Sequence, residues 1–310
     1  MIHSVTATAP ATVANLGAGF DVLGLALAGE GDTVTARRVP GASGVRIEAI
    51  TGDDGRLPTE AAANTAGVAA IETLKRAGFP DVGIALTLKK GLPLCSGLGS
   101  SAASAAAAAF AVNQLLGGPL RKLELVEPCV AAEAVVSGRH ADNVAPALLG
   151  GLVLVRSLEP LDLVRLPIPE GLTLAVVTPG FDLPTAKARA ALPDTVSLRT
   201  MVGATAQIAA LVSAFWSGDL SLLSRGLTDS VVTPARAALI PGAEAAMAAA
   251  LDVGALGSGI SGAGPSLFAL CRSERAARAA MAEMADAFAD AGLPAIGRIS
   301  PADCPGVRLI

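Results

Sequence analysis

The sequence predicts an α+β chain of two units, and three observations carry that prediction. Strand-like and helix-like segments follow each other in both halves, but with different rhythms. The second half runs strand, helices, strand, strand, helix, strand, the order of a split βαβ, ferredoxin-like unit. Between the halves, Ser157 to Pro169 holds three prolines and reads as a boundary, giving units at 1–158 and 159–310. At 310 residues, 52% apolar and 16% charged, the chain can fill the core of both units.

Each element has its own signal. Val5, Ala7 and Ala9 alternate with Thr6 and Thr8, a half-buried strand that Pro10 should stop. Thr33 to Val39 and Val45 to Ile50 are strands on either side of the Pro40-Gly41 turn. Asn64 can cap a helix with Val68, Ile71 and Leu74 on one face, ended by Gly78 and Pro80. Gly83 to Lys89 is a strand, Lys90 to Gly99 a loop, and Ser100 to Leu116 a long alanine-rich helix. A further helix precedes Ser137-Gly138, and Gly151 to Val155 is a strand. In the second half, Leu172 to Thr178 is a strand, and Ser197 to Trp216 and the stretch around Leu220 to Leu227 are helical. Gly254 to Gly259 and Ser266 to Leu270 are short strands around a glycine turn, Glu274 to Ala291 is an amphipathic helix, and Ala295 to Ile299 closes as a strand.

Composition excludes several classes of function. The 23 basic and 27 acidic residues give a net charge of -4, with no excess to hold a nucleic-acid backbone. Tyr is absent and aromatics total 3%, too few for base-stacking platforms. Mean hydropathy is +0.58, yet the most apolar run, Ala102 to Val112, contains Ser104. It also falls short of the roughly 20 residues that a membrane span needs. No nucleic-acid or membrane partner is therefore expected. Met1-Ile2-His3-Ser4 opens without a basic region and apolar stretch. The four cysteines, Cys95, Cys129, Cys271 and Cys304, are scattered and read as buried, inert thiols of a reducing cytoplasm.

The most informative string is Pro93-Leu94-Cys95-Ser96-Gly97-Leu98-Gly99-Ser100-Ser101-Ala102-Ala103. It follows a strand and opens a helix. Gly97 and Gly99 allow a tight turn and close approach to a ligand, and the helix start adds free N–H groups and a positive dipole end. Ser100 and Ser101 can cap the helix or reach a phosphate oxygen or Mg²⁺. No Lys follows the last glycine, so this is not a Walker loop, and the spacing is wrong for a dinucleotide fingerprint. A glycine turn with an ordinary cap is the plainer reading; the double serine and the strand–loop–helix setting favour a nucleotide site at Pro93, Leu94, Cys95, Ser96, Gly97, Leu98, Gly99, Ser100 and Ser101.

This string resembles the second motif of the GHMP kinases. Gly257-Ser258-Gly259-Ile260-Ser261-Gly262-Ala263-Gly264-Pro265-Ser266 resembles their third, and Pro10-Ala11-Thr12-Val13-Ala14-Asn15-Leu16-Gly17-Ala18-Gly19-Phe20-Asp21 their first. Four more features are similar to the homoserine-phosphorylating branch of that family. They are His140-Ala141-Asp142-Asn143-Val144-Ala145-Pro146, Thr185 to Arg189 with Leu192-Pro193, Arg236 with Leu239-Ile240-Pro241-Gly242, and the Asn15–Asp21 pair. The resemblance covers essentially the whole chain. It implies a two-domain GHMP kinase fold: an N-terminal domain like ribosomal protein S5 domain 2 and a ferredoxin-like C-terminal domain. It implies transfer of the γ-phosphate of ATP to the hydroxyl of L-homoserine, giving O-phospho-L-homoserine for threonine biosynthesis, with ATP and Mg²⁺ as cofactors and a homodimer as a plausible state. An isoprenoid-alcohol or sugar kinase of the same family, or a non-catalytic nucleotide-binding relative, are the alternatives.

The resemblance also assigns roles. Asn15 and Asp21 go to the ammonium and hydroxyl end of the amino acid, and His140, Thr185 and Gly262 to the same pocket. Arg189 and Arg236 are candidates for the carboxylate, since a guanidinium fork fits two oxygens. Ser101 and Glu133 would hold Mg²⁺, with Glu127 a weaker substitute for Glu133. Asn143 stands where several superfamily members carry a catalytic Asp. Asp142 is its neighbour, and neighbouring side chains generally point different ways. No strong general base is therefore expected, and Asn143, Ser101 and Glu133 form the catalytic set.

Overall fold

The computed structural model describes residues 2–310. Two sheets organise the chain. The first has seven strands: β1 (Ser4–Ala14), β2 (Leu23–Arg38), β3 (Val45–Thr51), β4 (Ile84–Lys89), β5 (Leu152–Leu158), β6 (Leu161–Leu166) and β11 (Arg308–Leu309). Its order is β11-β1-β2-β4-β3, and β5 pairs with the start of β2 and with β6. Only the β3/β4 pair is parallel, and its crossover is α1 (Thr65–Arg76). The second sheet contains β7 (Thr173–Pro179), β8 (Gly257–Ile260), β9 (Leu267–Cys271) and β10 (Ala295–Pro301), in the order β10-β7-β9-β8 and antiparallel throughout. Numbered within the unit this is 4-1-3-2, the ferredoxin-like arrangement that the element order predicts.

Three expectations are corrected. Pro10 does not stop β1: the register against β2 shifts between Pro10 and Thr12, and the strand resumes to Ala14. A bulge is where a residue without an N–H is tolerated. Next, β2 begins ten residues before Thr33, because Gly24, Gly29 and Gly31 read as breakers. At Gly31 a Cβ would overlap the Ala9 carbonyl, so that glycine permits close strand approach rather than ending the strand. Finally, the first part of the proline-bearing stretch, up to Leu166, forms the β5–β6 hairpin. Position 158/159 is its turn, so the sheets part after Leu166, and the chain's last strand, β11, returns to β1.

Helix α2 (Ser100–Leu115) runs through the first unit with Ala102 to Val112 wholly buried. A helix apolar on every face belongs in a core, and its alanines let β1, β2 and α1 come close. Next come α3 (Val126–Glu133) and a short α4 (Val144–Leu149). The second unit adds α5 (Thr185–Ala190), α6 (Leu198–Ser217), α7 (Leu220–Gly226), α8 (Val232–Ala237), α9 (Ala243–Asp252) and α10 (Glu274–Asp290). Among the described residues α6, not Ala102–Val112, is the helix long and apolar enough to cross a membrane. Its only buried residues are Leu211, Ala214 and Phe215; Leu198, Met201 and Val202 are exposed.

Candidate active site

The loop between β4 and α2 lies at the junction of the two units. Gly99 is the N-cap of α2 in the left-handed region (φ 65°), with no side-chain cap, so the expected Ser100 and Ser101 caps are not formed. A Cβ on Gly99 would overlap Thr12 Oγ1 and lie 2.8 Å from Asn143 Oδ1. The loop is clamped through its carbonyls: Thr12 N donates to Leu98 O (3.0 Å), Ser266 N to Ser96 O (3.1 Å), Leu183 N to Cys95 O (3.2 Å) and Ser261 Oγ to Gly97 O (2.7 Å). The amides of Gly97, Leu98, Gly99, Ser100, Ser101 and Ala102 have no acceptor among the described residues. Carbonyls turned into the protein and N–H groups left unused at a helix start make an anion cradle.

Beneath this cradle Lys90, Asp32 and Ser104 form a buried polar knot. Lys90 Nζ pairs with Asp32 and donates to Ser104 Oγ (2.7 Å) and to Ser100 O (3.0 Å) in the first turn of α2. Asp32 Oδ1 accepts from the amides of Gly91 (3.0 Å) and Leu92 (3.2 Å), and Ser104 donates to Oδ2 (2.7 Å). Burial pushes the Lys90 ammonium pKa down, and Asp32 opposes the shift.

The cradle opens into a cleft of about 450 Å³. Of the sequence-predicted residues, Asn15, Asp21, Leu94, Cys95, Ser96, Gly97, Gly99, Ser100, Ser101, Glu133, His140, Asn143, Thr185, Arg189, Arg236 and Gly262 line it. Pro93 and Leu98 do not: Leu98 is buried in the core, and the Pro93 carbonyl accepts from Ser96 Oγ. Cys95 is exposed, against the expectation of four buried thiols; Cys129, Cys271 and Cys304 are buried. Three of the four non-glycine residues with positive φ, Asn15 (64°), Asp21 (58°) and Cys95 (53°), line this one cleft. Strained backbone of this kind concentrates where surrounding structure enforces a geometry.

At the second-unit end, Asn15 Nδ2 donates to Gly262 O (2.9 Å), and Asn15 Oδ1 accepts the Asp21 amide (2.9 Å). This fixes the turn that presents Asp21. Arg189 approaches Asp21 through both terminal nitrogens, at 3.0 and 3.3 Å. Arg236 has no carboxylate in salt-bridge reach among the described residues. It is buried, and its Nη1 donates to Gly262 O (2.6 Å). Both guanidinium carbons lie near the Phe20 ring, at 5.3 Å for Arg189 and 5.1 Å for Arg236. Burial, and then Arg189, lower the Arg236 pKa. His140 Nε2 lies 3.2 Å from Ser137 O, and Nδ1 lies 3.5 Å from Asp21 Oδ2. Burial lowers the imidazole pKa, with Asp21 opposing. The neutral ring that donates from Nε2 therefore presents Nδ1 as a bare acceptor beside a carboxylate.

Between the two ends stand Glu133, Asp142 and Asn143. Glu133 Oε2 accepts from Ser101 Oγ (3.1 Å) and Ser137 Oγ (3.0 Å), while buried Oε1 has no partner. Burial raises the Glu133 pKa, and the two hydroxyls oppose it. Glu127 is instead on the surface, paired with Arg76. Asn143 Oδ1 accepts from Thr12 Oγ1 (2.7 Å). Asp142 also lines the cleft, contrary to the expectation that neighbouring side chains diverge. Asn143 is the N-cap of α4 in helical geometry (φ -98°, ψ -41°), and the tight turn into that helix brings both to one cavity. Asp142 Oδ1 is buried without a partner, and burial, with Asp21 adding repulsion, pushes its pKa up to about 7.

Sequence reasoning missed Lys90, Asp32, Ser104, Thr12 and Ser137. Thr12 lies inside the Pro10–Asp21 motif, Ser104 interrupts the apolar run and Lys90 opens the loop, but nothing in the sequence gives any of the five a partner.

Two family models match the chain: "GHMP kinases N terminal domain" over residues 64–151 and "GHMP kinases C terminal" over 208–290. The homoserine kinase of Arabidopsis thaliana is 49% identical over 99% of this chain and 85% of its own length. That of Chlorobaculum tepidum is 43% identical over 100% of this chain and 99% of its own. The crystal structure of homoserine kinase from Cytophaga hutchinsonii superposes with a TM-score of 0.96 at 43% identity, covering 100% of this chain and 98% of that one.

Proposed function

The chain belongs to the GHMP kinases, within them to the homoserine kinases, and from that premise we propose how its cleft works. It is an ATP-dependent kinase that transfers the γ-phosphate to the hydroxyl of L-homoserine, giving O-phospho-L-homoserine. The observation that carries the site assignment is the set of unused amides of Gly97, Gly99, Ser100 and Ser101, residues that line the same cleft as Asp21, His140 and Arg236. The amides and the α2 dipole hold the nucleotide's phosphates. Asp21 and His140 Nδ1 accept from the substrate ammonium. Arg236, with no carboxylate of its own, receives the substrate carboxylate, and Arg189 holds Asp21 in place. Thr185 and Gly262 complete the wall.

Ser101 and Glu133 would hold Mg²⁺. A buried carboxylate with an orphaned oxygen beside a hydroxyl fits a hard cation. The described residues contain no group of three or more His, Cys, Asp or Glu around a metal position, which suits an ion bound with the nucleotide and water. Bound there, the cation supplies charge neutralisation for the transferring phosphoryl group. Asn143, held by Thr12, orients the acceptor hydroxyl. Catalysis rests on positioning and on the amide cradle, as a loose phosphoryl transition state permits, and the hydroxyl proton passes to the phosphate. The unpartnered Asp142 carboxyl supports a second reading in which it takes that proton.

The proposed setting is threonine biosynthesis in the cytoplasm, in keeping with four unpaired thiols. A homodimer is also proposed, because α6 exposes Leu198, Met201, Val202 and Trp216. Purified protein with Mg-ATP and homoserine should form phosphohomoserine, identified by mass spectrometry. Nucleotide binding without product would sink the kinase reading. Turnover of a sugar or isoprenoid alcohol, but not of homoserine, would move it to another branch.

A further inference from the structure

Between Glu133 and His140 the chain makes a tight turn around one carbonyl: the amides of Val136 (3.0 Å), Ser137 (2.9 Å) and Gly138 (3.2 Å) all approach Glu133 O. Ser137 sits at its centre and faces both ways. Its hydroxyl donates to Glu133 Oε2 at 3.0 Å, while its carbonyl takes the His140 Nε2 hydrogen at 3.2 Å. Gly138 follows with φ 108°, and a Cβ there would lie 2.7 Å from His140 Nε2. A continuous set of contacts thus runs from Ser101 through Glu133, Ser137 and His140 to Asp21 and Arg189.

We infer that Ser137 is a positioning residue of dual use: its hydroxyl aims the Glu133 carboxylate at the cation end of the cleft, and its carbonyl fixes the His140 tautomer at the amine end. The inference rests on the proposed roles of Glu133 and His140. Glu133 Oε2 has two hydroxyl donors, and Ser137 supplies the one that does not come from the phosphate loop. A carboxylate ligand oriented by an outer hydrogen bond typically loses 10–100-fold in metal affinity without it. The two functions separate by mutation, because Ser137→Ala deletes the hydroxyl and keeps the carbonyl.

The test uses calorimetric titration of the intact protein. Mg²⁺ is titrated in the presence of a non-hydrolysable ATP analogue, and homoserine is titrated without nucleotide. In Ser137→Ala, Mg²⁺ affinity should fall about tenfold, with homoserine affinity within about twofold of wild type, since the carbonyl bond survives. Ser137→Thr, which restores a hydroxyl, should recover most of the Mg²⁺ affinity. Gly138→Ala should do the reverse, weakening homoserine and sparing Mg²⁺. Unchanged Mg²⁺ affinity in Ser137→Ala overturns the inference. So does an equal loss of both ligands, which would mark the turn as merely structural. If wild type itself bound no homoserine, the proposed function would fail instead; a wild type that turns over homoserine beside an unaffected Ser137→Ala would sink this inference alone.

Discussion

Replacing Asp32 by Asn should be among the most destabilising single-atom changes in the protein. Asp32 and Lys90 are both buried, with side chains 1% and 2% exposed. Asparagine can still offer one oxygen to the Gly91 and Leu92 amides. At the other position an NH₂ group would face the Lys90 ammonium and the Ser104 hydroxyl, setting donors against donors. Lys90 would then carry a buried charge with only Ser100 O and Ser104 Oγ around it. Breaking a buried pair from one side costs about 3–5 kcal/mol. There is also a ceiling, because the lysine can give up its proton. From an unfolded pKa near 10.4, that costs about 5 kcal/mol at pH 7. The two routes agree, and the loss is a large share of the roughly 5–15 kcal/mol that holds a domain folded.

The ceiling brings a pH signature with a definite sign. If folded Asp32→Asn holds Lys90 neutral, the unfolded chain binds one more proton, and stability rises with pH. The deficit against wild type should shrink by about 1.4 kcal/mol per pH unit, so by nearly 3 kcal/mol between pH 7 and 9. Urea unfolding of both proteins at the two pH values measures this. Adding Lys90→Met should recover part of the loss, a coupling beyond the roughly 0.5 kcal/mol scatter of independent sites. A deficit under about 1 kcal/mol at pH 7, or one flat in pH, refutes the account of a charge trapped under the phosphate loop.

Three further outcomes follow from the site. Gly99→Ala forces a Cβ into Thr12 Oγ1 at a positive φ and should cut kcat/KM by about 100-fold or more; near-normal turnover in the steady state would show that the loop tolerates displacement. Asp142 has a folded pKa raised to about 7, so between its unfolded value near 4 and about 7 the native state holds the extra proton. Its contribution to stability therefore declines as pH rises through that window. Asp142→Asn should remove this decline in urea titrations from pH 4 to 8 and keep turnover within about tenfold. A loss of 10²-fold or more with homoserine binding intact would make Asp142 the proton acceptor. Arg236→Met should raise the KM for homoserine by about 10–100-fold, as loss of a charged hydrogen bond does, and leave that for ATP unchanged; an equal rise in both would show that Arg236 supports the fold instead.

What could be read in the sequence was whatever depends on local chemistry. The glycine-serine string before an alanine run announces an anion cradle because backbone geometry and helix start are encoded in adjacent residues. The second sheet was legible for the same reason, each element having its own period and stop signal. Long-range contacts decided the rest. Pro10 and Gly31 look like breakers until the facing strand is known; then one sits at a register shift and the other where a carbonyl passes close by. Lys90 cannot be told from Lys89 without Asp32, which lies 58 positions away. Of the prolines after Ser157, Pro160 sits in a hairpin turn because β6 finds its partner in β5, while Pro167 and Pro169 follow β6, where the sheets part.

The same distinction explains why charge pairing, not charge content, decides what the cleft can take. Asp21 and Arg189 neutralise each other across 168 positions and leave no net charge. Three buried groups of the cleft are left without an ionic partner: Glu133 with its open Oε1, assigned above to the cation, the Arg236 guanidinium, bound only to carbonyls, and the Asp142 carboxyl with its open Oδ1. Under the proposed function a zwitterion places its carboxylate on Arg236 and its ammonium on Asp21 and His140. A neutral sugar or alcohol would enter and leave the Arg236 guanidinium unanswered. Sites that bury polar groups for a missing partner reject such analogues by about 10⁴–10⁵-fold. Selectivity for an amino acid alcohol is therefore written in the guanidinium that the protein itself declines to pair. It should collapse toward neutral alcohols when Arg236 is replaced by an uncharged residue of similar size.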